Sequence, residues 1–244
     1  IIAGTMTWGA WGNNLNKTEM LERIHHCLEN NITTFDHADI YGDYSTESDF
    51  GNAFIESGID RNNVQFITKC GIQYLGKSRP ELKVKHYNYT KDYIIASAEQ
   101  SLKNLKTDYL DLLLLHRPSP LLQPEVVAEA VSTLKKEGKI KSFGVSNFTP
   151  SQVNLIASKI PISTNQIEFS LSQFSAIYNG SLDQMQLKGI QPMSWSPLGS
   201  VFKEDNSRIT LDGAVENIAL FRRFVMNMLK QCSCGAPSQK VKLK

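Results

Sequence analysis

The chain has 244 residues, a formal charge of +2, 41% hydrophobic and 20% charged residues, the composition of an ordinary globular protein with enough apolar surface for a sizeable core. Its lysines and arginines are scattered apart from the closing KVKLK, so the concentrated basic face that nucleic acid or an anionic membrane requires is missing, and a small-molecule partner is favoured. Cys27, Cys70, Cys232 and Cys234 are too few and too scattered for a disulfide scaffold or a zinc site, which points to a reducing, cytoplasmic setting.

In chain order, the opening IIAGTMTWGAWG is apolar but short, broken by Gly and Trp and without a basic leader, and reads as a trimmed core strand rather than a signal peptide. Short apolar runs then alternate with longer segments of helical period, the signature of parallel βαβ units. The expected strands are Ile1–Thr5, Ile32–Phe35, Val64–Thr68, Tyr109–Leu115, Ile140–Val145, Ser163–Gln166 and Ile190–Ser194. Helices are expected at Lys17–Asn30, Thr46–Ser57, Lys91–Leu105, Pro124–Lys136, Pro150–Ser158 and, more weakly, near Leu182–Leu187. Thr149 before Pro150 predicts a capping hydroxyl followed by a proline in the first turn. No GxGxxG follows the first strand, and strict alternation favours an α/β fold of the (β/α)8 barrel type over the alternative, a doubly wound open sheet. After Ser194 a seventh helix is expected over 216–230, but residues 231–244 offer neither an eighth strand nor another helix, so the barrel reads as incomplete at its eighth βα unit.

In a barrel the active site forms at the carboxyl ends of the strands, so the polar residues just past each apolar run belong together. They are Asp36 with Tyr41 after strand two, Lys69 after strand three, His116 after strand four, Ser146 and Asn147 after strand five, Gln166 and Glu168 after strand six, and Trp195 after strand seven. A phenol with a reference pKa of about 10 is a poor acid near neutrality unless a cation supports its phenolate. Lys69 can supply that cation, Asp36 can hold the ammonium in place, and His116 can donate a hydrogen bond to a carbonyl oxygen. Singly, each residue has a plainer reading: Asp36 as turn former, Lys69 as solvated cation, His116 as backbone ligand, Trp195 as packing.

Seven linked stretches, GTMTWG at 4–9, FDHADIYGDYSTESDFG at 35–51, FITKCGI at 66–72, SLKNLKTDYLDLLLLHRP at 101–118, GKIKSFGVSNF at 138–148, TNQIEFSL at 164–171 and WSPLG at 195–199, together resemble the aldo-keto reductase superfamily over residues 1–200. The resemblance implies one barrel domain over 1–244 and NADPH-dependent reduction of an aldehyde or ketone, with no nucleic-acid or membrane partner. Matched position by position, the family's catalytic tetrad falls on Asp36, Tyr41, Lys69 and His116, with Tyr41 as proton donor. The resemblance further assigns Ser146, Asn147 and Gln166 to the nicotinamide amide, Trp195 to the ring face and the loop Ser196, Pro197, Leu198 and Gly199 to the pyrophosphate. It sets Thr5 and Met6 beside the nicotinamide ribose and counts Asp36 among the cofactor-binding residues.

The family's 2′-phosphate segment has no counterpart in residues 231–244, so the preference for NADPH over NADH is inherited from the resemblance alone. The same fold also serves as a redox-sensing regulatory subunit, and an inactive truncated product is a further reading of the unfamiliar ending. His25 and His26 are adjacent on a helix and point apart, which argues against a metal site. His37 is a candidate for the pocket wall, and Tyr74, His86, Tyr87 and Tyr89 of the long connection after strand three are candidates for a substrate loop.

Overall fold

The computed structural model describes residues 1–197 and Gly199, and the chain forms two compact units, Ile1–Ile167 with Ala176–Met193, and Glu168–Ser175 with Ser194–Lys244. In chain order the elements are β1 (Ile2–Gly4), α1 (Lys17–Glu29), β2 (Thr34–Asp36), α2 (Tyr41–Tyr44), α3 (Thr46–Glu56), β3 (Gln65–Cys70), β4 (Ile72–Gln73), β5 (His86–Tyr87), α4 (Lys91–Leu105), β6 (Leu110–Leu115), α5 (Pro124–Lys136), β7 (Ile140–Ser146), α6 (Pro150–Ala157), β8 (Thr164–Glu168), α7 (Ser181–Lys188) and β9 (Gln191–Trp195). The helix expected at 216–230 and the sequence beyond it lie outside the described residues.

The helices form where local signals agree with an apolar stripe. Asn16 accepts the Glu19 amide at 3.0 Å while the Glu19 carboxylate accepts the Asn16 amide at 2.8 Å, a reciprocal cap that starts α1. Met20, Ile24 and Cys27 then recur on its buried side, as the helical repeat requires. At α6 Thr149 and Gln152 form a capping box, in which the Gln152 side chain accepts the Thr149 amide at 2.9 Å; the Thr149 hydroxyl also meets Ser151 Oγ at 3.2 Å.

Seven strands form one sheet in the order β1-β2-β3-β6-β7-β8-β9, and the pairings from β1 through β8 are all parallel. The order never reverses. A doubly wound sheet must reverse at its switch point, so that alternative is excluded, and the sequence of neighbours is that of a βα barrel. The sheet also curls within the first unit: Ile67 of β3, Leu112 and Leu114 of β6 and Met193 of β9 share one buried cluster, although β3 and β9 stand far apart in strand order. The Gln166 amide on β8 likewise reaches Asp36 on β2 at 3.0 Å.

Because successive side chains of a strand point to opposite faces, one set of positions fills the inside of this curve and the other faces the helices. The inward set climbs from apolar to polar: Ile67 then Lys69 on β3, and Leu112, Leu114 and then His116 on β6 and just past it. The outward set packs under the helices, where Phe35, Phe50, Phe54 and Phe66 contact one another at ring-centroid distances of 5.0 to 6.4 Å.

Candidate active site

Polar residues end the strands without leaving the ladder. Asp36 pairs with Ile67, Lys69 with Leu114 and Ser146 with Gln166. Backbone hydrogen bonds of the sheet therefore fix these side chains, which sit where the inward face meets the carboxyl end. His116 follows β6 and is held by its amide, which donates to the Cys70 carbonyl at 2.9 Å.

Lys69 is the hub. Its Nζ, only 2% exposed as part of the residue, donates to Asp36 Oδ1 at 2.8 Å and Oδ2 at 2.9 Å, to the His37 carbonyl at 2.8 Å and to Tyr41 Oη at 3.2 Å. Burial alone would favour the neutral amine, but the charges and hydrogen bonds of Asp36 and Tyr41 outweigh it and raise the Lys69 pKa above its ordinary value. An ammonium has three protons; Asp36, the His37 carbonyl and Tyr41 account for them. Lys69 is thus the donor toward Tyr41, and the phenol keeps its own proton to give elsewhere.

Tyr41 is buried, and that burial raises its pKa, opposed by the Lys69 charge and reinforced by Asp36. The Asp36 carboxylate thus acts on the phenol in the opposite sense from Lys69, and its service is to hold the ammonium in place. The turn that carries Tyr41 is left-handed at Gly42, Asp43 and Tyr44, with φ of 61°, 58° and 70°, a conformation uncommon for residues with side chains. It is stapled from the connection after β4: the Tyr44 hydroxyl accepts the Tyr74 amide at 2.9 Å, and Asp43 Oδ2 accepts the Ser78 amide at 3.1 Å.

The ring centroids of His116 and Tyr41 are 6.1 Å apart. Burial, followed by the charges of Lys69, Arg117 and Lys85, lowers the His116 pKa well below the ordinary value, so the ring is neutral and holds a single N–H. Its Nδ1 is buried without a hydrogen-bond partner among the described residues. Tyr89 braces this strand end, its hydroxyl donating to the Arg117 carbonyl and accepting the Arg117 amide at 3.1 Å.

A second polar group lines the same end of the sheet. Gln166 donates to Asp36, its Oε1 accepts from the Ser146 hydroxyl at 3.4 Å, and Asn147 Nδ2 donates to Ser146 Oγ at 2.8 Å. Asn147 takes a left-handed φ of 62° while its amide donates to the Gln166 carbonyl at 2.7 Å. Two amides and a hydroxyl offer both donors and acceptors, the donor set that a carboxamide such as nicotinamide's complements.

The remaining expected residues divide clearly. Thr5 is fully buried, its hydroxyl donating to the Asp36 carbonyl at 3.1 Å and meeting His37 Nδ1 at 3.0 Å, so it ties β1 to the site from behind, whereas Met6 is exposed. His37 is no pocket wall. It is wholly buried on the outward face, 4.4 Å from the Phe50 ring, and burial lowers its pKa to about 3. Trp195 ends β9 in the second unit, where Ser196 and Gly199 turn through left-handed φ of 52° and 59° and the Gly199 amide donates to the Ser196 carbonyl at 2.8 Å. Pro197 is exposed, and Leu198 lies outside the described residues. Of the expected substrate-loop residues, His86 and Tyr87 form the β4–β5 hairpin, and Tyr89 is structural support. Tyr74 stands beside Trp11, 5.0 Å between rings, and Trp11 stands 6.1 Å from Tyr41. Trp11 is the residue that pattern reading missed: an isolated, 36% exposed Trp in a Gly-broken stretch carries no periodic signal.

Among the described residues, no group of three or more His, Cys, Asp or Glu could hold a metal ion, and no helix is long and apolar enough to cross a membrane. The chain is 47% identical to the uncharacterized oxidoreductase YcsN of Bacillus subtilis, covering 85% of this chain and 70% of that protein. It is 43% identical to the oxidoreductase YdhF of Escherichia coli, covering 81% and 67%. A 6-dehydroglucose reductase of Agrobacterium fabrum is 42% identical over 72% of this chain and 60% of its own length; the chain thus spans about two thirds of these relatives. The crystal structure of a thermostable aldo-keto reductase in complex with the inhibitor epalrestat superimposes with a TM-score of 0.71 at 26% identity, covering 91% and 76% of the two chains. With the model of the Aldo/keto reductase family matching residues 1–217, the sequential parallel sheet and its polar strand ends have a common origin: this chain belongs to the aldo/keto reductase family.

Proposed function

We propose that the protein reduces an aldehyde or ketone to the alcohol, with NADPH as hydride donor and Tyr41 as proton donor. The observation that carries this reading is the bonding of Lys69 to Asp36, the His37 carbonyl and Tyr41, which leaves the Tyr41 proton uncommitted. The nicotinamide supplies the hydride. Ser146, Asn147 and Gln166 would hold its amide and Thr5, Met6 and Asp36 would take part in binding it, while the resemblance assigns Trp195 to its ring and Ser196, Pro197, Leu198 and Gly199 to the pyrophosphate. Preference for NADPH follows the family resemblance, and a cytoplasmic setting follows the few, scattered cysteines.

The neutral His116 orients the substrate by donating its N–H to the carbonyl oxygen, which draws electron density toward the atom that Tyr41 protonates. As negative charge develops on the phenol oxygen, Lys69 is already hydrogen-bonded to it and needs no rearrangement. Asp36 keeps the ammonium in register. Trp11 and Tyr74 furnish an aromatic wall beside Tyr41, and the reductase names among the relatives, 6-dehydroglucose reductase included, support a small carbonyl substrate.

Aldehyde-dependent oxidation of NADPH, followed at 340 nm with the alcohol quantified, tests the reading. Alcohol formed in a one-to-one ratio with NADP+ is expected; tight NADPH binding without any alcohol would favour a redox-sensing subunit and overturn it.

A further inference from the structure

Asp39 stands between Asp36 and Tyr41 in the same loop, and the chemistry above does not use it. Its amide donates to the Lys69 carbonyl at 3.1 Å, pinning the loop to β3. Its carboxyl group meets α4 instead of the Lys69 ammonium: Oδ2 accepts the Ser97 hydroxyl at 3.1 Å and the Tyr93 hydroxyl at 3.4 Å. Oδ1 is sealed from solvent with no hydrogen-bond partner among the described residues. We propose that Asp39 is a positioning residue, whose carboxyl group ties the Tyr41 loop to Ser97 and Tyr93 of α4 and so sets the depth at which Lys69 meets the phenol.

The surroundings decide the form in which this carboxyl group works. It is faced by Glu47 of α3, Cys70 of β3, Tyr44 of the Tyr41 turn, Tyr89 before α4 and Tyr93 on it. All are neutral or acidic; the Arg79 guanidinium lies over the Tyr44 ring, 4.6 Å from its centroid. A carboxylate with one oxygen sealed and no cation bonded to it is costly, so the group carries a proton. Burial, with the Glu47 charge second, pushes its pKa up to about 8. Raised above the unfolded value, it contributes stability that is complete below about pH 4 and is lost progressively as pH rises from there to about 8. Ionisation there sets a second charge beside Glu47 in a site with no cation bonded to the carboxyl group, which is the cost, while Ser97 and Tyr93 go on donating to Oδ2.

The role of Tyr41 as acid, on which this inference rests, is read separately from the clamp itself. Melting temperature from pH 6 to 9.5 and the 295 nm absorbance titration of Tyr41, taken as the difference from a Tyr41→Phe protein, both work without turnover. For the full-length wild type, the Asp39 contribution to melting should fall as pH rises from 6 to about 8 and level off above it, and in Asp39→Asn that fall should vanish. Ser97→Ala combined with Tyr93→Phe should shift the Tyr41 titration and lower kcat at least fivefold, with the Kd for NADPH within twofold of wild type. Asp39→Asn tracking the wild type in melting across the whole range, or a Tyr41 titration unmoved by the Ser97 and Tyr93 changes, would overturn the inference. An inactive wild type would overturn the reductase reading and leave both readouts to decide the clamp.

Discussion

At the scale of single residues, Tyr41 and Lys69 differ in what their removal does to the fold, and that difference is measurable. Lys69→Met leaves Asp36 as a buried carboxylate without its cation, a change that costs about 3 to 5 kcal/mol, so melting should drop together with turnover. Tyr41→Phe removes a single 3.2 Å hydrogen bond, worth about 1 kcal/mol, and should leave the protein folded. His37 gives a prediction of opposite sign to Asp39. Its pKa is lowered to about 3, so the unfolded chain binds the extra proton first. Stability is then complete above about pH 6.5 and falls as pH drops from there toward 3, by about 1.4 kcal/mol for each pH unit. In denaturant melts at pH 7, 6 and 5, the stability of the wild type relative to His37→Asn should fall with that slope below about pH 6.5; parallel curves for the two would contradict the burial of a neutral ring.

At the scale of elements, the strand ends explain both what pattern reading captured and what it did not. The seven strands and six of the helices come from apolar periodicity, and each observed element lies within two residues of expectation. The discrepancies have one cause at β2, β3, β7, β8 and β9: the strands run on through Asp36, Cys70, Ser146, Glu168 and Trp195, polar or bulky residues that look like loop but still pair in the ladder. The β4–β5 hairpin has two residues per strand, too few for any period to register, and the left-handed turn after Tyr41 depends on contacts from the Tyr74 segment that no local rule encodes. Gly71 belongs to this scale as well. It has a φ of +114°, and an added Cβ would stand 2.0 Å from the Tyr89 ring, which holds the Arg117 backbone next to His116. Gly71→Ala should therefore destabilise by at least about 2 kcal/mol and raise KM for the carbonyl by displacing His116. Unchanged melting and KM would show that Tyr89 does not brace this strand end.

At the scale of the molecule, a sequential parallel sheet brings distant chain segments to one mouth. Asp36 and Gln166 are 130 residues apart and hydrogen-bonded, a proximity no spacing rule reveals. That Asp36, Tyr41, Lys69 and His116 meet was nonetheless legible, because strand ends of a barrel converge by construction. The inward cluster of Ile67, Leu112, Leu114 and Met193 supports that mouth from below. Leu114→Ala, which empties a fully buried site, should cost about 2 to 5 kcal/mol in denaturant melts; a loss below about 1 kcal/mol would argue against a packed interior.

The most direct test of the central claim compares Tyr41→Phe with the wild type at pH 7, using a saturating aldehyde and NADPH. Proton transfer by a positioned acid accounts for about 10² to 10⁴ in rate, so kcat should fall by that factor while NADPH Kd and melting temperature stay near wild-type values. Equal kcat in the two proteins would contradict the assignment of Tyr41 as the acid.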